Sequence, residues 1–423
     1  MIRSALIISI LIGSSLLSGC ASIAEGVTTA FLNQDDVIDT RKCEVTGTPF
    51  NGIRQGLNKK PQVTKLLVVH GIQKHLPGYS TRFREKITYE LGLNKISKSH
   101  KEIIIIDAKI LDGAGKPEPL GILRVTRHTN QDETKELLYY ELTWSQISDP
   151  GRDSLLFDIS GEYSFKRAEL NHLIKEFVNK TIPDLLAYRG ISQVKINRSV
   201  SEATCWTFAG GWKDLPESGQ HFCNISQNQT IDKILDEQHF YVTHSLGSRI
   251  VIDTISDTVS LSNNLANESQ ITKDVFNALK QKEMNVFMLS NQLPLLQIGQ
   301  ADPEIINSVA QYCPINAEKK QERIFKKLNL VAFSDPNDIL SYPIPPNYAD
   351  HKIDSRLCPN IINVNLNITP AKEAFGLSFA NPIAAHSGYL EDDRVIALIA
   401  DGLSREASNP LIKEKCRWIE TID

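Results

Sequence analysis

Phe240-Tyr241-Val242-Thr243-His244-Ser245-Leu246-Gly247-Ser248-Arg249 is the stretch that decides the fold. Residues 239–244 are apolar and β-branched enough to predict a strand. A helical pattern from 246 to about 260 follows at once, so Ser245 stands where a strand turns straight into a helix.

The same alternation extends in both directions. Upstream, residues 63–69 predict a strand ending at His70-Gly71. Phe83, Ile87 and Leu91 then recur every four residues as one helix face. Residues 102–107, with a run of isoleucines, read as a doubly buried strand, and 120–126 and 137–143 as two more. Residues 165–188 predict one long helix or two. Downstream, 285–289, 328–334 and 361–367 predict strands, and 392–403 a final helix. This rhythm implies an α/β fold with a mainly parallel central sheet and helices on both faces. Residues 190–235 are polar, and Ala209-Gly210-Gly211-Trp212 reads as a loop. They mark an insertion around 145–235, either bordering the active-site mouth or a plain surface excursion.

The chain has 423 residues, 41% of them hydrophobic and 23% charged, with a net charge of −4. These values exclude wholesale disorder and disfavour a basic nucleic-acid surface. No fixed-period repeat points to a solenoid or propeller.

Arg3 precedes an uncharged, mostly apolar run, residues 5–17. The run is short of the roughly 20 residues a spanning helix needs and fits a secretory signal. It ends Leu17-Ser18-Gly19-Cys20, which resembles the lipobox of bacterial lipoproteins. The resemblance implies a signal peptide over 1–19, acylation of Cys20 and a membrane anchor made of lipid. Ala21-Ser22, with no Asp after Cys20, is similar to the outer-membrane sorting pattern. The expected location is the cell envelope, facing the periplasm or the cell surface. Residues 20–60 are polar and read as a tether; the folded domain is expected over 61–423.

Export alters the meaning of the cysteines. Beside Cys20 there remain Cys43, Cys205, Cys223, Cys313, Cys358 and Cys416. An even set in an oxidising compartment suggests disulfides, with buried free thiols as the alternative. Cys205 with Cys223 is the most local pair and Cys313 with Cys358 the next. Cys43 with Cys416 would then tie the chain ends, although spacing alone leaves the connectivity open. No CxxC pair or Cys/His cluster has zinc-like spacing.

The 240–249 stretch resembles the G-x-S-x-G nucleophile elbow of the α/β-hydrolase superfamily. Gly247 keeps the second glycine, and Thr243 stands in place of the first. Leu66-Leu67-Val68-Val69-His70-Gly71-Ile72-Gln73 resembles the His-Gly turn of the same superfamily. That resemblance implies an oxyanion hole made by the backbone N–H groups of Ile72 and Leu246. The superfamily order of nucleophile, acid, histidine makes His70 a turn-shaping residue. It assigns the acid to the loop after strand 328–334, Asp338 in preference to Asp335. It assigns the histidine to Asn381-Pro382-Ile383-Ala384-Ala385-His386-Ser387-Gly388, hence His386, with His351 the weaker candidate.

The expected function is therefore a serine hydrolase of carboxylic esters, esterase- or lipase-like, working through Ser245, Asp338 and His386. No metal or cofactor is called for. The expected substrate is an ester or lipid-like small molecule; nucleic acid is not expected as a partner, and the oligomeric state is open. The alternative is a non-catalytic envelope protein that uses the fold as an interaction module.

Overall fold

The computed structural model describes residues 41–419 except 157, 159–164, 166, 225–228, 266–267, 375–376 and 405–408. The expected signal peptide, Cys20 and the first part of the tether lie outside the described residues.

A 12-stranded sheet organises the chain. Its strands are β1 (Cys43–Thr46), β2 (Val63–Val69), β3 (Lys95–Ile96), β4 (Lys101–Leu111), β5 (Pro117–Thr129) and β6 (Glu136–Thr143). They continue with β7 (Ser218–His221), β8 (Gln238–His244), β9 (Glu283–Leu289), β10 (Lys327–Ser334), β11 (Pro359–Leu366) and β12 (Cys416–Trp418). The spatial order is β12-β1-β11-β10-β9-β8-β2-β6-β5-β4-β7, with β3 on β5.

The middle of the sheet, from β11 through β10, β9, β8 and β2 to β6, is parallel throughout. Strands β2, β8, β9 and β10 are buried over nearly their whole length, which explains their continuous apolar runs. Seven helices matter below: α1 (Thr81–Glu90), α2 (Asp149–Leu156), α3 (Glu169–Arg189), α4 (Gln193–Ala209), α5 (Leu246–Ser262), α6 (Pro382–Ser387) and α7 (Asp393–Asp401). One face of the sheet is covered by α4 and α5, whose Ile196, Val200, Ile250 and Val251 enter one core. The other is covered by α1 and α7 through Phe83, Ile87, Val395 and Leu398.

The expectation of an α/β-hydrolase fold is corrected here, although most strand pairs are parallel. The architecture is α/β, but the sheet is mixed: β4, β5 and β6 form an antiparallel meander, and β1 pairs antiparallel with β11. The connections 112–116 and 130–135 are the physical reason. A parallel neighbour needs a crossover of a dozen or more residues, whereas links this short permit antiparallel pairing.

Two further boundaries shift. Residues 43–46 belong to the sheet rather than to a tether, with Cys43 in register with Cys416. Within 190–235, residues 193–209 form α4, a core helix ending at Gly210. Its Ile196, Val200, Ala203 and Thr207 are buried at helical spacing, a period that the polar composition hides. Three disulfides, Cys43–Cys416, Cys205–Cys223 and Cys313–Cys358, staple the described chain.

Candidate active site

The site forms at the C-terminal edge of the parallel strands, where strand-end loops converge. Strand β8 ends at His244, and α5 begins at Leu246. Ser245 between them has φ 56° and ψ −125°, a left-handed conformation costing a non-glycine residue about 1–3 kcal/mol. The turn is held by Ser245 N donating to Leu289 O at 2.9 Å and by Ser248 Oγ donating to Ser245 O at 2.7 Å. Ser245 is fully buried.

Two glycines make the turn possible. A Cβ on Gly247 would lie 2.6 Å from Val69 O and 2.7 Å from His70 O. A Cβ on Gly71 would lie 2.6 Å from Ser245 Cβ and 3.0 Å from Leu246 N. The two backbones therefore touch, which brings the Ile72 turn and the start of α5 into one small region. Thr243 is buried in β8, with Oγ1 donating to Phe287 O at 3.4 Å; its branched side chain is absorbed between strands.

His386 sits on α6, a short helix rather than a loop, capped by the Asn381 side chain accepting from Ile383 N and Ala384 N. Its Nδ1 lies 3.0 Å from Asp338 Oδ1 and 3.2 Å from Oδ2. Among the described residues its buried Nε2 has no hydrogen-bond partner. Asp338 follows β10 and also accepts from Leu340 N at 3.0 Å. Burial alone would raise its pKa; the bond and charge of His386, with the Ser290 bond, outweigh burial and hold it below the ordinary value.

Asp335 has different work. It accepts from Asn337 N at 2.7 Å, Ile368 N at 2.6 Å and Thr369 N at 3.2 Å, so it ties the acid loop to the chain after β11. His70 is buried: its Nε2 accepts from Trp144 N at 3.1 Å, and its Nδ1 lies 2.9 Å from Gly71 O. Burial, with His75 nearby, pushes its pKa well down, as suits a neutral ring shaping the turn. His351 lies exposed on the short helix Tyr348–Lys352.

Three residues escaped the sequence reading. Ser290 Oγ donates to Asp338 Oδ2 at 2.6 Å and lies 2.9 Å from His386 Nδ1. Gln292 Nε2 donates to Ser245 Oγ at 2.8 Å. His244 Nε2 meets His386 O at 2.8 Å. The signal available was positional: Ser290-Asn291-Gln292 follows strand β9, beside the Ser245 strand, although neither residue type announces a role.

The segment after β6 braces the Ile72 turn. Gln73 N donates to the buried Asp184 Oδ2 on α3 at 2.5 Å, and Arg152 Nη1 holds Asp184 Oδ1 at 2.6 Å. Beside the turn lies a mostly apolar cavity of about 340 Å³, lined among others by His75, Leu76, Pro77, Ile104 and Ile122.

Comparisons of the chain with protein-family models, with curated proteins and with solved structures give no match.

Proposed function

We propose that the protein is a serine hydrolase of carboxylic esters, with Ser245 as nucleophile, His386 as base and Asp338 as the orienting acid. The observation that carries the reading is the state of His386. Its Nδ1 is fixed by Asp338 and its buried Nε2 has no partner among the described residues, on the same sheet edge as the strained Ser245. A buried imidazole nitrogen left open is costly unless something is meant to fill it. Gln292 already donates to Ser245 Oγ, so the hydroxyl proton is free to be given away.

In this mechanism Oγ attacks the acyl carbon as His386 Nε2 takes its proton, and Asp338 stabilises the imidazolium. The oxyanion is received by the N–H groups of Ile72 and Leu246. Collapse breaks the ester bond; His386 returns the proton to the leaving alcohol. Water then attacks the acyl-enzyme by the same route, releasing acid and restoring Ser245. Ser245 Oγ and His386 Nε2 make no hydrogen bond to each other among the described residues, and the mechanism requires that contact to form in the Michaelis complex. The Cys20 motif supports a lipid-anchored place in the cell envelope, with ester or lipid-like substrates.

The full burial of Ser245 is what favours the alternative, a non-catalytic interaction protein. A fluorophosphonate probe separates the two. Covalent labelling that disappears in Ser245→Ala supports the hydrolase; a folded wild-type chain that never labels supports the alternative.

A further inference from the structure

Helix α3 exposes Ile174, Val178, Ile182 and Leu186, with 54%, 37%, 38% and 65% of their surface open. They recur every fourth residue and so form one stripe. The opposite face of the helix is buried through Thr181, Asp184 and Tyr188. This helix is braced against the body by Asp184 on Gln73 N, and at its end Arg189 Nη2 reaches Ile298 O at 3.3 Å. Ile298 and Leu76, on the two loops so contacted, are themselves 73% and 69% exposed. The stripe therefore lies in a zone on the strand-end side of the sheet, where Ser245 lies, on a helix that touches the two loops exposing Leu76 and Ile298.

We propose that this zone docks on a lipid bilayer, laying α3 in the plane of the interface beside the candidate active site. The proposal rests on the reading of Leu17-Ser18-Gly19-Cys20 as a lipid-anchoring motif and not on the hydrolase reading. Residues 20–40 can reach at most about 70 Å when extended, so the tether keeps a bilayer close without choosing which face meets it. The stripe must therefore bind the bilayer by its own apolar contact, the tether only supplying one nearby. No described helix is long and apolar enough to cross a membrane, and α3, with Asp184 on its inner face, lies on the surface rather than through it. Lys180 pairs with Glu176 and Lys175 with Asp158, so attraction to anionic headgroups is secondary to apolar contact.

The test is flotation of the mature chain, residues 20–423 with Cys20→Ser so that no acyl chain contributes, with neutral phosphatidylcholine vesicles. The wild-type surface should co-float. Ile174→Ser with Val178→Ser, and Ile182→Ser with Leu186→Ser, should each weaken partitioning about tenfold, and all four together about a hundredfold. Unchanged thermal unfolding of the paired variants shows that the fold is intact, and the pairs decide the matter if the fourfold variant fails to fold. A wild-type chain that stays with the soluble fraction, or paired variants that float equally well, overturns the proposal. A vesicle-free dimer abolished by the same substitutions also overturns it, by assigning the stripe to a second copy. Fluorophosphonate labelling in the same samples reports on Ser245 separately, so failure of one reading is distinguishable from failure of the other.

Discussion

The ring of His244 donates from Nε2 to the backbone oxygen of His386 across 2.8 Å. The residue directly before Ser245 thus holds the segment that carries the candidate base. Burial, with His386 close by, pushes the His244 pKa to about 3, so the ring stays neutral and its N–H remains a donor. His244→Phe keeps a ring but loses the bond. Ester hydrolysis should fall by up to about 10²-fold through a displaced His386, with little change in fluorophosphonate labelling at long incubation.

The same histidine links stability to pH. The unfolded ring titrates near 6.5 and the folded one near 3, so between those values the unfolded state binds more protons. Stability is therefore full above pH 6.5 and falls as pH drops toward 3. His128, lowered to about 4 chiefly by burial, acts in the same direction. Melting temperature measured from pH 7 to 4 should decline, and His244→Phe should decline less steeply. A flat wild-type profile would refute this account.

Asp338 and Asp335 separate by partner rather than by place. Asp338→Asn should lower hydrolysis by roughly 10⁴, because the imidazole is then held in the wrong tautomer. Asp335→Asn puts an amide donor beside the N–H groups of Ile368, Thr369 and Asn337. It should cost about 1–3 kcal/mol of stability and far less activity. Matched kinetics and urea unfolding of the two variants check both halves, and a larger activity loss at Asp335 would reverse the assignment.

The disulfide that joins Cys43 to Cys416 closes almost the whole folded chain. Thiol titration of denatured, unreduced protein should find none of the six domain cysteines free. Replacing both Cys43 and Cys416 with Ala should cost about 2–5 kcal/mol and release β1 and β12 first, visible as early hydrogen exchange at residues 43–46.

How much was legible follows from how local each signal is. The Ser245 proposal came from a local strand–helix corner, whereas those for Asp338 and His386 leaned on the order of residues in the family that the corner resembles, His386 standing well beyond the strand predicted to end at 367. The pairing of Cys43 with Cys416 was reachable because the other four cysteines have nearer partners. The antiparallel meander from β4 to β6 was not legible, because the predicted strands 102–107, 120–126 and 137–143 leave longer links than the 112–116 and 130–135 of the structure, where the strands extend further. Helix α4 was hidden by charged and hydroxyl residues on its outer face, although Ile196, Val200 and Ala203 keep a helical period. Ser290, Gln292 and Asp184 were out of reach, because Ser290 meets Asp338 48 residues away, Gln292 meets Ser245 47 away and Asp184 meets Gln73 111 away, contacts that depend on strand order.

Gly71 is where backbone approach leaves no room. A Cβ there would press on His244 O and Ser245 Cβ, both at 2.6 Å, and on Leu246 N at 3.0 Å. The atoms met are mostly backbone, so they cannot swing aside. Gly71→Ala should destabilise the fold by about 1–3 kcal/mol. Activity should fall further than stability predicts, because both proposed oxyanion donors move. Equal loss of fluorophosphonate labelling and of melting temperature would instead indicate general unfolding.

Gln292 offers the sharpest test of the Ser245 environment. Its Nε2 donates to Ser245 Oγ at 2.8 Å, while its Oε1 is buried with no partner among the described residues. A donor on Oγ stabilises the negative charge that grows there as the proton leaves, and in a buried site such a bond is worth more than in water. Gln292→Leu removes the donor at similar size and should lower kcat about 10- to 100-fold while leaving the fold intact. Gln292→Glu makes the claim directional. A protonated carboxyl can still donate to Oγ, but a carboxylate cannot and repels the forming alkoxide. Activity in that variant should therefore be highest at low pH and fall as pH rises through the carboxyl's own titration, a fall that the wild type, with a neutral amide, does not share. If Gln292→Glu instead follows the wild-type pH profile at a reduced level, the amide is packing around Ser245 and takes no part in its activation.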